Sequence, residues 1–154
     1  MEPPFTPRLA FPQQYRFDIR WRAGRYCILD QTRHRYVALT PEEWVRQNLI
    51  EYLVRDRGCP RTLIAVETGL DYHGKSFRAD AIVHARDGSA LLLAECKEPG
   101  TVLEQAVLEQ VADYNAIVGA RYVVVTNGQV HRCWQVDPQR GGRVLDALPR
   151  YERM

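Results

Sequence analysis

Residues Gly69–Ser76 read GLDYHGKS, and the fold turns on how this stretch is understood. It satisfies the phosphate-loop pattern G-x-x-x-x-G-K-[ST], in which backbone N–H groups cradle phosphates and the lysine neutralises them. Such a loop works only between a strand and a helix, because the helix N-terminus supplies much of the anion site. TLIAVE, just upstream, has the composition of a buried strand. The residues after Ser76 make a poor apolar stripe as a helix. As a strand, Phe77, Ala79, Ala81 and Val83 alternate with Arg78, Asp80, Ile82 and His84. The expected structure is a connection between two strands, turned by Gly69, Asp71 and Gly74. A small nucleotide hydrolase using Lys75 and Ser76 is the lesser alternative.

The strand reading exposes a different chemistry. FRADAIV and ALLLAECK become neighbouring strands joined by the turn RDGS. Asp80 sits on the first, and on the second Glu95 and Lys97 share a face because side chains repeat every second residue. Two carboxylates beside one ammonium can hold Mg²⁺ through hard oxygen ligands and place a water against a phosphodiester. Of the 21 basic residues only Lys75 and Lys97 are lysines, so a lysine at this post is a choice in a chain that otherwise uses arginine. Lysine is a compact ammonium able to give up a proton, which arginine does not do.

Two helices flank this region. TPEEWVRQNLIEYLVRDRGCP carries Thr40 at its N-cap, Pro41 at the first helical position and Glu43 at the third position of a capping box, with Gly58 and Pro60 ending it. Val45, Leu49 and Leu53 form its core stripe. Glu42 falls on that stripe, so it is expected to point inward, whereas Glu43 is explained by capping. The second helix is expected to open with a capping box of Thr101 and Glu104, and Leu103, Val107, Val111, Tyr114 and Val118 mark its buried side. Gln110 and Tyr114, at i and i+4, share a face that can lean over the strand ends. RYVVVT then meets Asn127-Gly128, a two-residue hairpin signal, and QVHRCWQV returns as its partner.

Length and composition bound the remainder. The 154 residues suffice for one domain with one core, and 45% hydrophobic with 26% charged residues is ordinary for a globular chain. No apolar run approaches the roughly 20 residues that span a bilayer, and the start lacks the regions of a signal peptide, so no membrane partner and a cytoplasmic setting are expected. The four cysteines are far apart with no metal-ligand spacing, which reads as reduced thiols. From Arg8 to Arg35 seven arginines face only Asp18 and Asp30, a basic segment able to meet phosphates or to be a solvated hairpin. Residues 1–14 are expected as an extended arm, 15–137 as a single domain opening with a β-meander, and 138–154 as loop and C-terminal tail.

The ordered set Asp80, Glu95-Cys96-Lys97 and Gln110-Val-Ala-Asp-Tyr114 resembles the PD-(D/E)XK nuclease superfamily, in the branch whose next helix carries Q-x-x-x-Y. More narrowly, RYVALTPEEWVRQ, IAVE, FRADAIV, LLLAECKEPG, QVADYN and VVTNG are similar to the N-terminal domain of type I restriction enzyme R subunits and their short stand-alone relatives. The resemblance implies an α/β fold with a restriction-endonuclease-like core: a mixed central β-sheet flanked by two main helices, preceded by a β-rich extension. It implies a metal-dependent DNA nuclease, with Mg²⁺, or Mn²⁺ as a substitute, on Asp80, Glu95 and the backbone carbonyl of Cys96. Lys97 would position or activate the attacking water, and Gln110 and Tyr114 would contact the DNA backbone or brace the lysine. Glu42 and Glu67 are further acids, and Lys75, Arg78 and Gln110 are the expected DNA contacts. The family's proline before the aspartate is replaced by Ala79. The expected partners are DNA and either a second copy or the subunits of a restriction complex. A DNA-binding module that cuts nothing by itself is the alternative, since 154 residues cannot contain the ATP-driven motor of R subunits.

Overall fold

The structure, a computed structural model, describes residues 2–154. After an N-terminal segment without regular structure come β1 (Ile19–Arg22), β2 (Arg25–Asp30) and β3 (Arg35–Ala38), an antiparallel three-stranded meander. Helix α1 (Pro41–Arg55) leads to β4 (Ile64–Tyr72), β5 (Lys75–His84) and β6 (Ala90–Cys96). Helix α2 (Gln105–Val118) then crosses to β7 (Tyr122–Thr126), β8 (His131–Asp137) and β9 (Gly141–Leu145). Strands β4 to β9 form one sheet in sequential order. Only β6 and β7 pair in parallel, which is why a helix rather than a hairpin joins them.

A strand, not a helix, comes after Ser76, so GLDYHGKS is no phosphate loop. The register runs through Asp71↔Ser76 and Tyr72↔Lys75, leaving His73-Gly74 as a two-residue turn. Both turn residues have positive φ, +49° and +76°, as the hairpin twist requires. Gly69 and Asp71, expected in the turn, lie within β4. The Ser76 hydroxyl donates to Asp71 Oδ1 at 2.8 Å across the strands.

Helix α1 lies between the two sheets. Val45, Leu49, Ile50 and Leu53 pack with Ile28 of the small sheet and with Ala81, Val83, Leu92 and Ala94 of the large one. The opposite face of the large sheet, with Ile82, Leu93, Val123 and Val125, receives Val111 and Tyr114 of α2. Alternation along β6 therefore directs Leu92, Ala94 and Cys96 to α1 and Leu93 to α2. Thr40 caps α1 by accepting the Glu43 N–H at 3.0 Å.

Three expectations change. Helix α2 starts at Gln105 rather than near Thr101, and Glu104 is an N-cap with no side-chain hydrogen bond; the Thr101 N–H turns back to Glu98 O instead. Asn127-Gly128 belongs to a four-residue loop, because Thr126↔His131 is the closing pair; Asn127 Oδ1 accepts the N–H groups of Gln129 and Val130 and makes the longer loop rigid. The residues after 137, expected as loop and tail, supply β9 to the central sheet and bury Leu148 in the main core. No helix among the described residues is long and apolar enough to cross a membrane.

The N-terminal segment is tied to that loop: the Ala10 N–H donates to Gly128 O at 2.7 Å and Gln129 Nε2 to Arg8 O at 2.9 Å. Gly128 has φ +88°, and a Cβ there would stand 2.7 Å from Leu9 and 3.2 Å from Val45. Gly128→Ala is expected to cost about 1–3 kcal/mol through backbone strain and displaced core contacts. Thermal unfolding followed by circular dichroism checks this, and an unchanged midpoint would refute the packing argument.

Candidate active site

The site forms where two strands part. The β5–β6 ladder ends at Ala81↔Ala94, while β6 continues beside β7 to Cys96. Beyond that point the Cys96 N–H has no partner on the β5 backbone, and the Asp80 side chain supplies one, Oδ2 accepting at 2.6 Å. Asp80 is thereby buried at the fork. One step on, Lys97 N–H donates to Thr126 O, which fixes the end of the strand against β7.

Glu95 and Lys97 project to the α2 side, with Lys97 Nζ 3.4 Å from Glu95 Oε1. They line a cavity of about 160 Å³ together with Ser76, Phe77, Arg78, Gln110, Val111 and Tyr114. Gln110 stands exposed at its rim. Tyr114 lies stacked on Phe77, the ring centroids 5.1 Å apart, and its hydroxyl is buried without a hydrogen-bond partner of good geometry. A buried, unpaired hydroxyl beside an open cavity is a group prepared for a ligand oxygen. Burial and the Glu95 carboxylate push its pKa up, against the nearby backbone N–H of Ala79, so it stays a donor.

Behind the cavity lies a network of ion pairs that sequence reasoning missed. Arg46, buried on α1, donates from Nη2 to Asp80 Oδ1 at 2.6 Å and from Nη1 to Glu43 Oε1 at 2.7 Å. It also reaches Glu42 at 3.3 Å and Glu67 at 3.4 Å. Burial alone would weaken the guanidinium's charge, but the hydrogen bond to Asp80 and the charges of Glu43 and Asp80 hold it on. Arg33, from the β2–β3 turn, joins Asp30, Glu43 and Glu67. The burial expected of the two first-turn glutamates is reversed. Glu43 is buried in this network and is no capping-box partner, whereas Glu42 is about 50% exposed. The 3.6-residue stripe misassigned them because α1 is covered on two sides, so a single apolar stripe does not define its interior.

Glu42 nonetheless belongs to the locality. Its pKa is raised by burial and by Asp80, against the pull of Arg46 and Lys97. Glu67, expected at a strand end, lies mid-strand in β4 with φ +53°, held by Arg33, Arg46 and by Arg78 at 2.6 Å. A non-glycine residue in that conformation is a site of backbone strain, maintained here by three guanidinium partners. Arg78 thus faces the cavity but is already paired, and Lys75 is exposed at the hairpin end, outside the cavity lining.

Asp30, Glu42, Glu43, Glu67, Asp80 and Glu95 face Arg33, Arg46, Arg78 and Lys97, so acids exceed bases by two charges. The surplus shows at Glu95, whose pKa is pushed up to about 7 by burial and by Asp80, partly offset by Lys97. One divalent cation would balance it. No cluster of three or more His, Cys, Asp or Glu side chains among the described residues is arranged to enclose a metal. Mg²⁺ binds through one or two carboxylates and keeps several waters. Asp80, Glu95 and the Cys96 carbonyl are hard donors of the right chemistry.

Residues 41–149 match the family described as the type I restriction enzyme R protein N terminus (HSDR_N). The chain belongs to this family. Among solved structures, the chain is similar to a fragment of a candidate HsdR subunit of a type I restriction enzyme from Vibrio vulnificus YJ016. The TM-score is 0.53 and the identity 22%, over 73% of this chain and 24% of that one. The chain therefore spans about a quarter of that relative's length, and the likeness is one of fold. A nuclease candidate of the DUF820 group from Anabaena variabilis ATCC 29413 aligns with a TM-score of 0.46 and 11% identity, over 81% of this chain and 74% of that one. No curated protein matches significantly.

Arg46 had a signal in the sequence: it stands at i+4 from Glu42 and i+3 from Glu43, the spacing of helical ion pairs. Arg46→Met is expected to destabilise the domain by about 3–5 kcal/mol, because it leaves Asp80 buried without its cation and Glu43 with Arg33 alone; chemical denaturation measures it. The Glu95 carboxyl gives a pH signature. Between about 4.5 and about 7 the folded chain holds a proton that the unfolded chain has released, so metal-free stability falls as pH rises through that window. Glu95→Gln is expected to flatten the slope of melting temperature against pH, and an unaltered slope would contradict the raised pKa.

Proposed function

We propose that this chain is a nuclease that hydrolyses DNA phosphodiester bonds with a bound divalent cation. The observation that carries the reading is a single cavity in which Glu95, Lys97, Gln110 and Tyr114 meet, backed by Asp80 at the strand fork and by a surplus of two negative charges. In this reading Asp80, Glu95 and the Cys96 carbonyl hold Mg²⁺, with Glu42 at the margin; Mn²⁺ can replace it. The cation supplies charge neutralisation of the phosphate and a bound water of lowered pKa.

The chain's own residues do the rest. Lys97, held beside Glu95, orients the attacking water and offsets the charge that develops on the phosphate oxygens. The Tyr114 hydroxyl, without another partner, donates to a phosphate oxygen entering the cavity, and Gln110 at the rim contacts the adjoining backbone. Arg46 fixes the Asp80 carboxylate and Glu67 fixes Arg78, which keeps the donors in place without adding free cations to compete for the phosphate. Restriction-complex subunits are the partners that family membership supports.

A second reading has its own observation. Both Asp80 oxygens are engaged, Oδ1 by Arg46 and Oδ2 by Cys96 N–H. A domain in that state binds DNA and cuts only when a partner or the cation draws Asp80 away from Arg46. Cleavage of supercoiled and circular single-stranded DNA with Mg²⁺ or Mn²⁺, without ATP, separates the two readings. The nuclease reading expects cutting by wild type and a loss of about 10²–10⁴-fold in Lys97→Ala. Salt-sensitive DNA binding that survives chelation and Lys97→Ala, with no cutting by either protein, would instead establish the binding module.

A further inference from the structure

The lysine of the site stands where the sheet supports it least. Lys97 follows the last residue of β6, and the β5–β6 ladder has already ended at Ala81↔Ala94. On the β7 side one bond holds its backbone, the N–H donated to Thr126 O at 2.8 Å. Beyond it, residues 98–103 run towards α2 with neither helix nor strand, and Glu98, Gly100 and Val102 are exposed. Within this connection Glu98 O accepts the Thr101 N–H and Val102 O accepts the Glu104 N–H, bonds that tie it only to itself and to the start of α2.

One polar tie reaches the connection from the rest of the fold. Asn127, buried in the β7–β8 loop, donates from Nδ2 to Thr101 O at 2.7 Å. Among the described residues it is the one side chain hydrogen-bonded to the backbone of residues 98–103. The orientation of its amide is fixed, because Oδ1 accepts the N–H groups of Gln129 and Val130 at 2.9 and 2.8 Å and Nδ2 is the donor left over. The loop is anchored in turn on its far side. Thr126 Oγ1 accepts the Gly128 N–H at 2.9 Å, and Ala10 of the N-terminal segment is held at both backbone groups, by Gly128 O and by His131 Nε2, which donates to Ala10 O at 2.8 Å.

We propose that Asn127 is a positioning residue for Lys97: together with Thr126 O it holds the connection at Lys97 and at Thr101, and so sets where the ammonium stands beside Glu95. The catalytic consequence rests on the nuclease reading above. The Lys97 side chain is 33% exposed, so its place depends on its backbone more than on packing. A displacement of about 1 Å in a reacting group costs up to about 10²-fold in rate.

Substitution at this position separates clamping from the shaping of the loop. Asn127→Asp keeps an oxygen for the Gln129 and Val130 N–H groups but sets a second oxygen against Thr101 O, whereas Asn127→Ala removes both functions. The test uses the full chain labelled with ¹⁵N-lysine. Two lysines give two backbone lysine amides, and Lys75→Arg shows which signal belongs to Lys97. Both variants are expected to speed solvent exchange of the Lys97 amide about tenfold and to leave that of Lys75 unchanged. In cleavage of supercoiled DNA with Mg²⁺ both are expected to lower kcat about 10–100-fold at unchanged KM. Agreement between the two excludes the added charge of the aspartate as the cause, and if Asn127→Ala fails to fold, Asn127→Asp decides alone. Wild-type exchange of Lys97 in Asn127→Asp, equal acceleration at both lysines, or a raised KM at unchanged kcat would overturn the positioning role. A wild type that cuts no DNA would remove the nuclease reading, and the Lys97 exchange rates would still decide whether Asn127 holds the connection.

Discussion

The bond from Arg46 to Asp80 holds the architecture together at the place where it is electrostatically least favourable. Asp80 closes a fork between two strands, where it is buried. Arg46 makes it tenable, and it does so from α1, the helix packed between both sheets. Because the same guanidinium reaches Glu42, Glu43 and Glu67, one side chain ties α1, β4 and β5 together. Arg33 extends the arrangement to the β2–β3 turn through Glu43 and Glu67. The small N-terminal sheet is thus joined to the site by charge as well as by the apolar contact of Ile28 with α1.

Arginine suits this interior post because its charge survives burial and its planar fork can address several carboxylates at once. It does not cancel the surplus. With Glu95 still half inclined to hold a proton near neutral pH, the cavity behaves as a negative site of limited size, bounded by a buried tyrosine hydroxyl and an exposed glutamine. A phosphodiester, the substrate proposed above, is itself negative, so the site as it stands would repel it. In the proposed nuclease function a bound divalent cation would resolve the conflict, and the case for it rests on the charges present rather than on the shape of an enclosed cage.

Much of this was legible in the sequence, for identifiable reasons. Strict alternation from Phe77 to His84 gave the strand, and through it the juxtaposition of Asp80 with Glu95 and Lys97. The i, i+4 spacing of Gln110 and Tyr114 placed both at one cavity. The failures have a common origin in tertiary cover that local patterns do not encode. Glu42 and Glu43 were exchanged because α1 has two buried sides. Residues 141–145 looked like a loop because GGRVL, an edge strand mostly in water, has no buried face to impose a pattern. The start of α2 was placed early because Thr101 and Glu104 had the right spacing for a box, while the Thr101 N–H found Glu98 O. Arg33 gave no signal at all, since its partners come from α1 and β4 as well as its own turn.

The distribution of basic residues makes a final point about the cavity. Wherever a cation here has a structural duty, at Asp30, Glu43, Glu51, Glu67 or Asp80, it is an arginine. The two lysines stand elsewhere. Lys75 ends a hairpin in water, where either residue would serve. Lys97 is partly exposed at the cavity, with Glu95 its one ion-pair partner among the described residues, at a distance of 3.4 Å that leaves its ammonium hydrogens free for others. A guanidinium in its place would engage Glu95 in fork-to-carboxylate geometry, and would thereby occupy a carboxylate that the proposed cation would use. The lysine balances the charge of Glu95 without claiming its oxygens, and that difference is why arginine, everywhere else the chain's choice, does not stand here.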